Sequence, residues 1–145
     1  MTPEQKAAVK ESWTRVVPIA DTAAGLFYER LVEIDPTTRP LFKPERMPEQ
    51  RRKLVQALAA VVGGLDDLGP VLPAIRELGR RHAGYGVTDG HYRSVGAALL
   101  WTLERGLGPA WTEQAAAAWA EAYGAVSGAM RSAAGEAPGA AAAAA

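Results

Sequence analysis

The stretch Val71-Leu72-Pro73-Ala74-Ile75-Arg76-Glu77-Leu78-Gly79-Arg80-Arg81-His82-Ala83 decides the reading of the chain. Val71, Ile75, Leu78 and His82 follow one another at intervals of four, three and four, which places them on one face of a helix over about residues 70–83. An imidazole therefore points where the aliphatic side chains point. Gly84-Tyr85-Gly86-Val87 supplies the glycines that end the helix.

The same periodicity continues on both sides. Upstream, residues 47–62 carry Gln50, Leu54, Leu58 and Val61 on one helical face, with one polar group ahead of three aliphatic ones. Before that, Asp35-Pro36 opens a short helix through Arg39-Pro40-Leu41 to Phe42, and residues 43–48 read as a turn. Thr2-Pro3-Glu4-Gln5 caps a first helix that runs to about Val17, and Pro18 joins it to a second. That second helix carries Ala23, Leu26, Phe27, Leu31 and Ile34 as an apolar stripe, with Tyr28 beside it. Downstream, Thr88 or Asp89 caps a helix to about Gly106, and Thr112 caps a last one to about Ala134. No segment alternates as a half-buried strand would, so the class is all-α.

A chain of 145 residues has room for one core, and 48% hydrophobic against 22% charged residues is ordinary globular chemistry. We place a single domain at residues 1–134. Residues 135–145, ending in six alanines, are a low-complexity tail expected to be disordered. Sixteen basic residues balance sixteen acidic ones, which leaves no field to draw nucleic acid or an anionic membrane. The absence of cysteine excludes disulfides and thiolate metal sites. With no leader pattern and no long apolar run, the expectation is a cytoplasmic protein. No phosphate-binding glycine loop or nucleophile elbow is present, so nucleotide and hydrolase chemistry find no support.

Two histidines remain as candidates. His82 has two readings: a core imidazole bonded to backbone, or a metal ligand. One histidine cannot build a zinc site, which takes three protein ligands, but it can supply one axial ligand to haem, whose porphyrin provides four nitrogens. Helical geometry also brings the Leu78 carbonyl within reach of the second ring nitrogen, fixing the ring's orientation. Gln50, Leu54 and Leu58 offer a facing wall, and Tyr28, Phe42, Tyr92 and Val95 can pack on a flat aromatic ligand, though each taken alone also suits a plain core. His91 ranks below His82 because it ends no apolar stripe. The basic clusters Arg51-Arg52-Lys53 and Arg80-Arg81 read as solvated faces, with a carboxylate-bearing ligand edge as the alternative.

In order, Arg39-Pro40-Leu41-Phe42, Glu49-Gln50-Arg51-Arg52-Lys53-Leu54, Leu78-Gly79-Arg80-Arg81-His82 and Gly86-Val87 closely resemble bacterial single-domain globins and the globin domains of flavohaemoglobins. His91-Tyr92-Arg93-Ser94-Val95-Gly96 and Ala118-Trp119-Ala120-Glu121-Ala122-Tyr123-Gly124 extend the likeness over about residues 2–131. Neuroglobins and neuroglobin-like bacterial globins share the pattern, the vertebrate ones with His where this chain has Gln50. The resemblance implies a three-over-three helical sandwich around haem b, with a short or absent fourth helix. It makes His82 the proximal iron ligand. It puts Tyr28 and Gln50 in the distal pocket as catalytic residues, with Leu54 one turn further on. Phe42, Gln50, Lys53, Leu54, Leu78, His82, Val87, Tyr92 and Val95 become the haem contacts, and Lys53 reaches a propionate. Flavohaemoglobins support a proximal Tyr–His network with a last-helix glutamate, and the aligned residue here is Ala134. Tyr92 thus loses its carboxylate unless Glu136 substitutes.

The function so implied is reversible O2 binding at ferrous haem, with nitric oxide dioxygenation when an external reductase supplies electrons. A gas sensor or O2 carrier without redox turnover is the alternative, and a haem-free interaction protein a third reading. The implied partners are O2, NO and a reductase, with the chain a monomer or weak homodimer.

Overall fold

Thr2 opens the first helix by a reciprocal cap: its hydroxyl accepts the Gln5 N–H at 3.1 Å, and the Gln5 side chain accepts the Thr2 N–H at 2.8 Å. In this computed structural model, which describes residues 1–144 and side chains through Gly135, that helix is α1, Pro3–Val16. A 3₁₀ turn at Val17–Ile19, imposed by Pro18, leads into α2, Ala20–Ile34. Asp35 caps a 3₁₀ segment over Pro36–Leu41, which delivers Phe42. Residues 43–46 are more ordered than a plain turn: Pro44 starts a second 3₁₀ turn, Pro44–Arg46, that runs directly into α3, Met47–Gly63. Proline's fixed φ suits a first helical position, which accounts for the difference.

After a further 3₁₀ turn at Gly69–Val71 comes α4, Leu72–Gly84, then α5, Asp89–Leu107, capped by Thr88, and α6, Glu113–Ala144. The expectations for the tail, and for Glu136 as a stand-in carboxylate, lie outside the residues whose side chains are described. Among the described residues there is no strand, and no helix is long and apolar enough to cross a membrane. The all-α expectation holds. Layer α1–α3–α4 crosses layer α2–α5–α6 as a three-over-three sandwich, with α4 packed on α6, α1 on α6 and α3 on α2.

The core is not continuous. A large cluster runs from Val9, Trp13 and Val16 through Phe27, Tyr28 and Leu31 to Leu99, Leu103 and Trp119. A smaller one joins Ile75, Tyr92 and Met130 beneath α4. Trp119 Nε1 donates to Ser12 Oγ at 2.8 Å inside the large cluster, so the only polar atom of the indole is satisfied where no water reaches it.

The position of α4 is set by a missing side chain. A Cβ on Gly79 would lie 2.3 Å from the Met130 carbonyl oxygen and 2.6 Å from its Cα, so the two backbones approach closer than any other residue permits. The obstacle is main chain on α6, which cannot swing aside as a flexible side chain can. We therefore predict that Gly79→Ala lowers stability to urea by about 2–3 kcal/mol, the cost of forced overpacking, whereas Ala at the uncrowded Gly84 costs less than about 1 kcal/mol.

Candidate functional site

Helix α4 presents His82 half-buried, one turn beyond Leu78 of the smaller core cluster. Its Nδ1 lies 2.8 Å from the Leu78 carbonyl oxygen. A carbonyl only accepts, so Nδ1 carries the proton and Nε2 keeps its lone pair. Burial pushes the imidazole's pKa down and the Leu78 bond partly restores it, so the ring is neutral at pH 7. A neutral, oriented imidazole with a free lone pair is what a metal ligand must be. The turn that follows is closed by backbone bonds. Val87 N–H donates to the His82 carbonyl at 3.0 Å, and Gly86 adopts φ +92°, which only glycine takes without strain.

On the opposite side, α2 and α3 bring Tyr28 and Gln50 together. Gln50 Nε2 donates to the Tyr28 hydroxyl at 3.2 Å, and that hydroxyl lies 3.5 Å from the Gln50 carbonyl, too long for a strong bond. Tyr28 is wedged between two rings, edge-on to Phe27 at 4.9 Å and to Phe42 at 5.1 Å. Phe42 is thus held at the corner by the 3₁₀ segment behind it and by Tyr28 beside it. Burial raises the Tyr28 pKa to about 12 against a smaller opposing effect of the Gln50 bond, so the phenol remains a proton donor at any ordinary pH.

Apolar residues on the facing elements complete the walls. Phe42, Leu54, Leu58 and Val95 pack on the large cluster, and Leu78 and Val87 on the small one, all half-buried. Helices α3 and α4 are not among the closely packed pairs, and these side chains divide between two clusters instead of closing into one core. Lys53 stands apart: it is exposed and pairs with Glu49 at 3.6 Å on the outer face of α3.

Tyr92 carries a further signal. Its ring is 7% exposed, yet its hydroxyl is the one buried side-chain polar atom, among those described, with no hydrogen-bond partner. Such an atom costs about 1–3 kcal/mol, which a bound group with an acceptor would offset. No carboxylate reaches it from Ala134, and the neighbouring Tyr123 hydroxyl is spent on the Tyr92 backbone carbonyl at 2.6 Å. No trio of His, Cys, Asp or Glu that could hold a bare metal ion occurs among the described residues. A single imidazole, flat half-buried apolar walls and an unpartnered phenol match a planar macrocycle that brings its own four metal-binding nitrogens.

His91 is more deeply placed than the sequence suggested. It is 9% exposed and bonds at both ring nitrogens, to Thr88 and Thr37. The spacing Thr88-x-x-His91 is that of a capping box, with histidine where glutamate or glutamine is usual, and that signal was available in the sequence.

Residues 25–130 match the family profile described as Globin. Over 112 residues, 76% of this chain, it is 32% identical to a Flavohemoprotein of Bacillus subtilis, and over 126 residues, 86% of the chain, 32% identical to a Flavohemoprotein of Bordetella parapertussis. The chain spans 28% and 31% of the lengths of those relatives. Among solved structures, a bacterial globin of Campylobacter jejuni superposes with a TM-score of 0.83 at 23% identity, covering 93% of this chain and 97% of that one. An engineered carbene transferase, made from a Rhodothermus marinus protein provisionally described as a nitric oxide dioxygenase, gives 0.88 at 27% identity, covering 98% and 99%.

The Tyr28 pKa has a measurable consequence. A phenol whose folded pKa is raised contributes stability that is intact below its unfolded value near 10 and is lost as pH rises towards about 12. Between those limits the loss assignable to Tyr28 amounts to about 2–3 kcal/mol. Tyr28→Phe should flatten the fall in stability over that window while leaving the profile below pH ~9 parallel to the parent's.

Proposed function

Since this chain belongs to the globin family, we propose that it is a haem globin in which His82 ligates the iron of haem b and Tyr28 and Gln50 face a diatomic gas. The observation that carries the reading is the Nδ1–H bond of His82 to Leu78 at 2.8 Å, which leaves Nε2 oriented and basic on a face lined with apolar side chains.

When bound, haem supplies an iron centre able to take O2 or NO and to change oxidation state. The chain's own residues do the rest. Phe42, Leu54, Val87 and Val95 exclude water from the faces of the ring, and Leu78 fixes the rotation of His82 through its carbonyl. Tyr28 and Gln50 are both donors, already in contact with each other, and a small ligand that gathers negative charge draws on one or both. Carbon monoxide, with less charge to stabilise, gains less. Tyr92 holds an unpartnered hydroxyl in the cluster beneath α4, and Lys53 serves a ring-edge carboxylate from outside the pocket.

We infer reversible O2 binding together with conversion of NO to nitrate, the electrons coming from a separate reductase. The Flavohemoprotein relatives and the Rhodothermus marinus neighbour support that reading. Plain O2 carriage or gas sensing is favoured by one observation: Tyr92 has no carboxylate partner among the described side chains, so no carboxylate there adds to the donation that the Leu78 carbonyl supports through His82. A monomer or weak homodimer in the cytoplasm completes the proposal.

Haem-reconstituted protein should show a Soret band and, when reduced, a five-coordinate spectrum. In His82→Ala that spectrum is lost or is restored only by added imidazole, and an unchanged five-coordinate spectrum in the variant without imidazole overturns the assignment. Release of O2, followed by stopped flow, should quicken about five- to tenfold in Tyr28→Phe and in Gln50→Leu, the worth of one hydrogen bond each.

A further inference from the structure

His91 lies outside the chemistry just described, yet it joins the two halves of the site. The Thr88 N–H donates to its Nδ1 at 3.0 Å, so Nδ1 is the acceptor and the proton sits on Nε2. Nε2–H then donates to Thr37 Oγ1 at 3.0 Å, and the Thr37 hydroxyl donates to Asp35 Oδ1. Asp35 also accepts from Ser94 Oγ at 2.7 Å and caps the 3₁₀ segment that ends in Phe42. At the other end, Thr88 directly follows Val87, whose N–H is tied to the carbonyl of His82. One imidazole thus spans from the turn behind His82 to the corner that carries Phe42.

We propose that His91 is a positioning residue for the cofactor crevice, clamping the turn 85–88 to the 35–42 corner through its neutral tautomer. The clamp works only while Nδ1 can accept. A backbone N–H has nothing but a proton to offer, so a doubly protonated ring meets Thr88 donor to donor and the capping box of α5 opens. The charged group facing the ring is Asp35 on the 3₁₀ segment; Asp89, two residues before His91 on α5, pairs with Arg131 of α6 at 3.3 Å. Only the neutral ring satisfies both of its neighbours.

The link from clamp to crevice rests on the reading of His82 and Phe42 as cofactor contacts, so the test has two arms. The first uses the full chain without haem: amide exchange at residues 88–92 is followed from pH 7.5 to 5 in the parent, His91→Gln, His91→Ala and Thr37→Val. Glutamine can accept from Thr88 and donate to Thr37 without titrating. We expect exchange in the parent to accelerate on acidification by on the order of fivefold relative to His91→Gln, the effect of one buried hydrogen bond. His91→Ala and Thr37→Val should be fast already at pH 7.5. The second arm repeats the series on the haem-loaded chain, with haem loss to an excess of scavenging apoprotein as the readout, and the same ranking is expected. If His91→Gln tracks the parent at every pH, the clamp is overturned, whether or not His91→Ala folds. If the first arm gives the expected ranking and haem loss is equal in all variants, the clamp exists but does not position the crevice, which also overturns the proposal. Failure of every variant to take up haem would instead sink the functional reading, with the first arm still deciding on the clamp.

Discussion

Contact between two backbones, at Gly79 of α4 and Met130 of α6, is the constraint on which the rest of the structure depends. Because no Cβ intervenes, α4 sinks against α6, and His82 follows one turn further along the same helix. A helix held a few tenths of an ångström higher would carry His82 with it, since the imidazole is anchored to α4 through the Leu78 carbonyl. Packing in the interior, which resists even small displacements, thereby becomes the ruler for the site.

Much of this was legible in the sequence, and for identifiable reasons. Helical periodicity reports which side chains share a face, so the alignment of His82 with Val71, Ile75 and Leu78, and the reach of the Leu78 carbonyl, followed from spacing alone. Caps are equally local, which is why Thr2, Asp35 and Thr88 marked helix starts that the structure reproduces. The pairing of Tyr28 with Gln50 was different: the two lie 22 positions apart, and only resemblance to a family brought them together.

What the sequence withheld depends on crossings between elements. That Thr37 meets His91 across 54 positions, that Asp35 reaches Ser94 across 59, and that Tyr123 takes the carbonyl of Tyr92 cannot be read from periodicity, because each needs the angle at which two helices pack. For the same reason, periodicity gave no sign that Gly79 is a point of close backbone approach. Lys53 shows the converse: its place next to the distal residues in sequence puts it on the outer side of α3, paired with Glu49. The polar residues missed, from exposed Thr37 to buried His91, hold elements to one another where the periodic apolar faces alone leave the relative placement loose.

The bond between Ser12 and Trp119 joins positions 107 residues apart, and the helices carrying them form one side of the large cluster. Contacts of such separation form late, because the entropy of closing the intervening chain is spent before they return anything. On a ribosome the consequence is sharper. Helix α1 is made before α6, so its Trp13 lacks the Trp119 ring until the chain between them has been synthesised. The weak apolar character of α1 outside its Val9 and Trp13 face, with charges at Glu4, Lys6, Lys10, Glu11 and Arg15, keeps the helix in water while synthesis catches up.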